Sequence, residues 1–192
     1  PAYGHVVELP VRGVDGALSF APAAIPRAAD VRTAALPYTR ATLIRQAFKF
    51  LGERYGWGHA YNARDCSGFV SEIFRSVGVL LPRNTGAQAV AEALDGITVA
   101  PETSRARRLQ LLREADVGDL VFVPGHVMMI IGHIDGEPWV IHDTAGTFLR
   151  DDAGMLHRAP LNGVVVTPTT PLFADAEGVA MIDRITHIQR VR

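Results

Sequence analysis

The stretch that decides the fold runs from Tyr55 to Gly78, YGWGHAYNARDCSGFVSEIFRSVG. Its first half, Tyr55 to Asp65, is rich in Gly, Asn and Asp and reads as a loop. In its second half Phe69, Val70, Ile73, Phe74 and Val77 recur on one helical face as far as Gly78. Cys66 therefore opens a helix, where the partial positive charge of the N-terminus lowers a thiol from its reference value of ~8.5. The pattern suits a nucleophile made anionic by its neighbours. A buried cysteine that only fills space is the competing reading, since free Cys is among the most buried residue types.

Upstream, Thr39 is a plausible N-cap for a helix whose apolar face is Leu43, Ile44, Ala47, Phe48 and Leu51, ended by Gly52 and Gly56. Residues 1–38 carry five of the twelve prolines, a density that predicts an extended connector, with the folded domain over 39–192. Downstream, shorter helices are expected at Thr85 to Leu94 and at Arg105 to Arg113, the charges of the latter reading as a solvated face. Strands follow at Asp119 to Val123, Val127 to His133 and Pro138 to His142, the last two joined by the hairpin signal Asp135-Gly136. Gly163 to Thr167 and Ile182 to Val191 complete the strand candidates. Helices first and antiparallel strands afterwards indicate an α+β fold.

The composition narrows the function. The chain has 192 residues, 48% hydrophobic and 20% charged, which excludes disorder and low-complexity architecture. Nineteen basic residues stand against 20 acidic ones, so no positive excess exists for nucleic acid. The longest apolar run, Val127 to Ile131, is far short of the ~18 residues of a membrane-spanning helix. Pro1 opens the chain without an initiator Met, as in a processed form or an excised domain. Cys66 is the only cysteine, so neither an internal disulfide nor a four-thiolate metal site is available.

A nucleophilic thiol needs a base and a group that orients the base. His126 stands at the mouth of one predicted strand and His142 ends its hairpin neighbour, so antiparallel pairing brings them together. Half-exposed histidines at strand ends are the plainer alternative. The spacing of Cys66, His126 and His142 matches no tight zinc pattern, Asp143 being the one obvious helper. Gly56-Trp57-Gly58 lacks the lysine and helix of a nucleotide loop. No cofactor is expected.

Taken in order, Tyr55-Gly56-Trp57-Gly58, Asp65-Cys66-Ser67-Gly68-Phe69-Val70, Leu81-Pro82-Arg83-Asn84-Thr85 with Gln88, Gly118 to Phe122, His126-Val127 and Ile141-His142 resemble the NlpC-type cysteine peptidases of bacterial cell-wall peptide metabolism. The resemblance implies a papain-like core, a helix bearing the cysteine packed on an antiparallel sheet bearing the histidines. By motif position it implies Cys66 as nucleophile, His126 as general base and His142 as the orienting residue. Tyr55 matches a tyrosine near the thiol that assists an oxyanion site, or else serves as a packing anchor. Asp65, Ser67 and Arg83 match substrate-contacting positions; helix capping and a structural ion pair are their rival roles.

The implied activity is hydrolysis of the γ-D-glutamyl–diamino acid bond of murein peptides through a thioester. An amidase or acyltransferase on the same scaffold, and a cell-wall-binding module without turnover, are the alternatives. His59, where a glycine usually follows Trp-Gly, and Met128-Met129 after His126 depart from the common pattern and bear on pocket shape. The proline-rich lead resembles the connector that follows small Src-homology-3-like barrels in some members, so such barrels are implied partners not contained in this chain. The resemblance favours a periplasmic, cell-wall-associated or secreted protein over a cytoplasmic one.

Overall fold

A computed structural model describes residues 4–191. They divide after Ala34 into two compact units. In the first, β1 (Gly4–Arg12) and β2 (Leu18–Pro26) pair antiparallel, from Gly4 against Pro26 to Arg12 against Leu18. The segment expected as a connector over 1–38 is thus a β-hairpin in most of its described part, and the unit boundary falls four residues earlier. The prolines are compatible with pairing because each strand of a two-stranded ribbon has an edge with no ladder to complete, so a missing N–H at Pro10, Pro22 or Pro26 costs little there.

The second unit begins with α1 (Arg40–Phe48), capped by Thr39, whose side chain accepts the Thr42 N–H at 3.1 Å. A loop that turns tightly over Trp57–Asn62, with Gly58, His59, Tyr61 and Asn62 at positive φ, leads to α2 (Cys66–Ser76), and α3 (Thr85–Ala89) and α4 (Arg105–Glu114) follow. The strands are β3 (Asp95–Thr98), β4 (Leu120–Val123), β5 (His126–Ile134), β6 (Glu137–Thr144), β9 (Gly163–Pro168) and β10 (His187–Arg190). They form one antiparallel sheet in the order β3-β10-β4-β5-β6-β9. Asp135 and Gly136 take positive φ, 51° and 79°, at the β5–β6 turn, as an Asp-Gly hairpin requires.

Period-two alternation gives the sheet two buried faces. On one, Leu120, Phe122, Val127, Met129 and Ile141 pack against Leu43 of α1 and Phe69, Val70, Ile73 and Phe74 of α2. On the other, Val121, Val123, Met128, Ile130 and Val140 pack against Leu111 and Leu112 of α4 and against Ile182 and Ile185. Fully burying each such side chain contributes roughly 1.5–3 kcal/mol, so α2 is fixed chiefly by this face. The arrangement is the α+β, papain-like fold.

Four expectations change, the first being the helix expected over Thr85 to Leu94, which ends at Ala89. Ile182 to Val191 is not one strand: Met181–Arg184 forms a helical turn that closes the second core before β10. A second hairpin, β7 (Thr147–Arg150) with β8 (Leu156–Ala159), turns at Asp151. The basic face of α4 is only partly solvated, for Arg108 is buried and donates to the carbonyls of Ala100, Pro101, Thr103 and Ile185. Burial of that charge is tolerated because its donors meet carbonyl acceptors.

Candidate active site

Asp65 ends the loop in extended conformation and caps α2, its carboxylate accepting the Gly68 N–H at 2.8 Å. The same carboxylate is clamped by Arg83 through two bonds, at 2.8 and 3.1 Å, and accepts from the Ser67 hydroxyl at 3.1 Å and the Gly58 N–H at 3.2 Å. Arg83 also reaches Ser67 Oγ at 3.0 Å. Asp65, Ser67 and Arg83 therefore form one mutually bonded cluster beside Cys66, and capping and ion pairing coexist in it. Burial acts against the Asp65 charge, but the bonds from Arg83 and Gly68 outweigh it and hold the carboxyl below its ordinary range.

The loop bearing Arg83 is tied down by Gln88, which is wholly buried. Its amide donates to the carbonyls of Ser67 and Pro82, at 3.2 and 2.8 Å, and to Ser71 Oγ at 3.0 Å. This anchorage presents Thr85 to the thiol, Oγ1 lying 3.7 Å from Cys66 Sγ. His59, in the left-handed region at φ 65°, covers the start of α2 so closely that a Cβ on Gly68 would meet its Nε2 at 2.0 Å.

Cys66 is buried, and its Sγ rests against the backbone on both sides of His126, 4.0 Å from the Gly125 carbonyl and receiving the Val127 N–H. His126 and His142 meet as β5 pairs with β6, Nε2 of the first 2.8 Å from Nδ1 of the second. His142 Nε2 continues to Thr167 Oγ1 on β9 at 3.1 Å. With His126 Nε2 and His142 Nε2 protonated, both bonds are made and His126 Nδ1 keeps a lone pair.

The electrostatics correct one expectation. Burial pushes the Cys66 thiol up, the Asp65 charge adds to this, and bonds from Thr85, the Val127 N–H and the Ser67 N–H oppose it without prevailing. Burial pushes His126 down to about 4, and burial together with the neighbouring His126 also holds His142 well below the ordinary histidine range. The resting pair is a neutral thiol and a neutral imidazole, not the thiolate that a helix N-terminus alone suggests. Tyr55 is pushed up to about 12 by burial and by the charges that Cys66, Asp65 and Asp143 carry once ionised, so its hydroxyl remains a donor. Asp143, adjacent to His142 in sequence, is wholly buried with neither carboxylate oxygen hydrogen-bonded. Burial, with Glu53 and Asp65 nearby, raises it to about 7 against the opposing Arg64.

Two hollows share Tyr55 and Gly125 and make one groove. The first, about 340 Å³, is lined by Cys66, Asp65, Ser67, Arg83, Thr85 and Trp57. The second, about 380 Å³, holds His126 and His142. Among the described residues no group of three His, Cys, Asp or Glu side chains is placed to hold a metal ion. No helix among them is long and apolar enough to cross a membrane. Sequence reasoning missed Thr167 and the role of Thr85; only the pairing of β6 with β9 and the Gln88 anchorage bring them to the site.

Residues 52–170 match the NlpC/P60 family model. The probable endopeptidase p60 of Listeria welshimeri is 37% identical over 97 residues, covering 47% of this chain and 16% of that protein. That of Listeria seeligeri is 35% identical over 97 residues, with the same shares. This chain thus spans a small fraction of the length of the curated relatives it matches. In structure it is similar to an NlpC/P60 endopeptidase from Photobacterium damselae subsp. piscicida, with TM-score 0.73, 18% identity and coverage of 96% of this chain and 45% of that one. An NlpC/P60 family protein from Bacillus cereus gives TM-score 0.52, 21% identity and coverage of 96% and 50%. The structures speak to the fold, and the family match, which takes in well over half of the chain together with Cys66, His126 and His142, settles membership: the chain belongs to the NlpC/P60 family.

Proposed function

We propose that the protein is a cysteine endopeptidase that hydrolyses murein (peptidoglycan) peptides at the γ-D-glutamyl–diamino acid bond. The observation that carries the reading is the position of Cys66 Sγ against Gly125 and Val127, on both sides of a His126 whose Nε2 is held by His142. In the first step the sulfur–carbon bond forms as the thiol proton passes to His126 Nδ1. The oxyanion is met by the Cys66 backbone N–H at the start of α2 and by the Tyr55 hydroxyl. The carbon–nitrogen bond then breaks, His126 returning its proton to the leaving amine. Water attacks the thioester, giving up a proton to His126 and restoring the thiol.

Asp65, Ser67 and Arg83 line the acyl side of the groove and serve there as substrate contacts, with Arg83 nearly half exposed and able to meet a carboxylate. Because the substrate belongs to the cell wall, the site of action is periplasmic, wall-associated or extracellular. The test is mass spectrometry of defined muropeptides incubated with wild type and with Cys66→Ala. New products from wild type alone support the reading, and identical products from both sink it. A second reading, binding without turnover, draws on the raised thiol, and wild type that retains these peptides uncut supports it.

A further inference from the structure

Asp143 is a buried ionisable group that the chemistry above leaves unused. It follows His142 on β6, so strand alternation turns the two side chains to opposite faces of the sheet. His142 shares its face with His126, whereas Asp143 shares that of Ile141, which packs on α2. Its partner across the ladder is Val164 of β9. Along the outer edge of β9 runs the segment from Gly52 to Tyr55. The Gly52 N–H donates to the Val164 carbonyl and the Val164 N–H to the Glu53 carbonyl, both at 2.9 Å, and the Tyr55 N–H donates to the Asn162 carbonyl at 3.2 Å. These bonds seat Tyr55 between Asp143, whose charge it feels, and the groove, which it lines.

The Asp143 carboxyl is wholly enclosed and neither oxygen is hydrogen-bonded. The charged groups that act on it are Glu53 of the edge segment and Arg64 and Asp65 of the loop before α2. From α2 comes Cys66, which acts with Asp143 on Tyr55. Strand β9 carries no titratable residue, and His126 of β5 turns to the opposite face. Arg64, the cation among these groups, is bonded to Glu53 and stacked over Phe50 at 4.6 Å. A charge on Asp143 therefore meets no donor, and the carboxyl keeps its proton up to about pH 7. Enclosing a carboxyl without partners costs the fold hydrogen bonds that an apolar side chain would not need, so packing does not account for this residue.

We propose that Asp143 is a positioning residue for the hydrolysis, acting through Tyr55: neutral, it leaves the phenol free to serve the oxyanion, and ionised, it opposes the negative charge that gathers there. The inference rests on the hydrolysis just proposed and deepens it. An oxyanion and an Asp143 carboxylate are like charges flanking one phenol in a poorly solvated place, where repulsion is strong and the phenol dipole cannot serve both. His126, at about 4, and the thiol, raised above its ordinary range, do not titrate near pH 7, so a limb there is separable from theirs.

The experiment measures kcat on a defined muropeptide from pH 5 to 9 for wild type, Asp143→Asn and Tyr55→Phe. Wild type is expected to lose roughly threefold or more between pH 6 and 8.5, with a midpoint near 7. The ratio of kcat at the two pH values should fall to near one in Asp143→Asn and should shrink in Tyr55→Phe. Carbon-13 NMR of the aspartate carboxyls, with Asp143→Asn identifying the signal, should show Asp143 titrating at the midpoint of that limb. No limb in wild type, a limb of equal size in either variant, or a carboxyl that titrates in the ordinary aspartate range overturns the inference. Wild type that cuts at no pH is instead the failure of the hydrolysis, and it removes this inference with it.

Discussion

His126 Nε2 stands 2.8 Å from His142 Nδ1, and with His142 Nε2 donating to Thr167 Oγ1, as the proposed mechanism requires, His126 keeps its lone pair on Nδ1. In the proposed mechanism His142 selects that tautomer. His142→Ala is expected to lower kcat on muropeptides by a factor on the order of 10²–10⁴, with His142→Asn, which still offers an acceptor, retaining more. Unchanged kcat in His142→Ala would remove the orienting role.

Burial sets the pH response of the pair. With His126 at about 4 and the Cys66 thiol raised, the acid limb of kcat/KM is expected near pH 4 instead of in the ordinary histidine range. A raised thiol also carries less thiolate at any given pH. Alkylation of Cys66 by iodoacetamide at pH 6–7 should therefore be slower than that of free cysteine. Fast alkylation near pH 5 would contradict the burial described.

Asp143 makes stability depend on pH in a direction unusual for a carboxyl. Its folded value of about 7 lies above the ordinary 3.8, so the folded state holds the proton more tightly than the unfolded chain does. The contribution is intact below about pH 4 and is lost as pH rises through 7. Asp143→Asn removes that loss, so its Tm should exceed that of wild type by more at pH 8 than at pH 5. A gap that does not change between the two, in thermal melts followed by circular dichroism, rules the effect out.

Arg83 separates binding from stability. Its pair with Asp65 is bidentate but the guanidinium is 45% exposed, which limits the stabilisation to about 1 kcal/mol or less. Arg83→Ala should lower Tm by only about 2–4 °C for a domain of this size while raising KM for muropeptides about tenfold. A large Tm loss with KM unchanged would make the arginine structural alone.

Local signals carried the scaffold of the site. The Thr39 cap, the apolar face from Phe69 to Val77 and the Asp135-Gly136 turn are encoded within a few residues, and each element sits where those residues put it. What could not be read locally depends on partners distant in sequence. Thr167 reaches His142 only through the register of β9 on β6, and the neutral state of Cys66 follows from packing that no neighbour in the chain reveals. The proline-dense lead misled because a missing N–H speaks against an inner strand but says little about a two-stranded ribbon.

The three contacts of the Gln88 amide nitrogen have a consequence for how this groove can diversify. By fastening the Arg83–Thr85 loop to the backbone and Ser71 of α2, they make the thiol and its adjoining wall a single stiff block. The opposite wall, carried by the stretch from Thr144 to Arg184, has no share in that fastening. Exchanging it can reshape that side of the groove while Cys66 keeps its seat, so the two halves of the groove are open to separate tailoring.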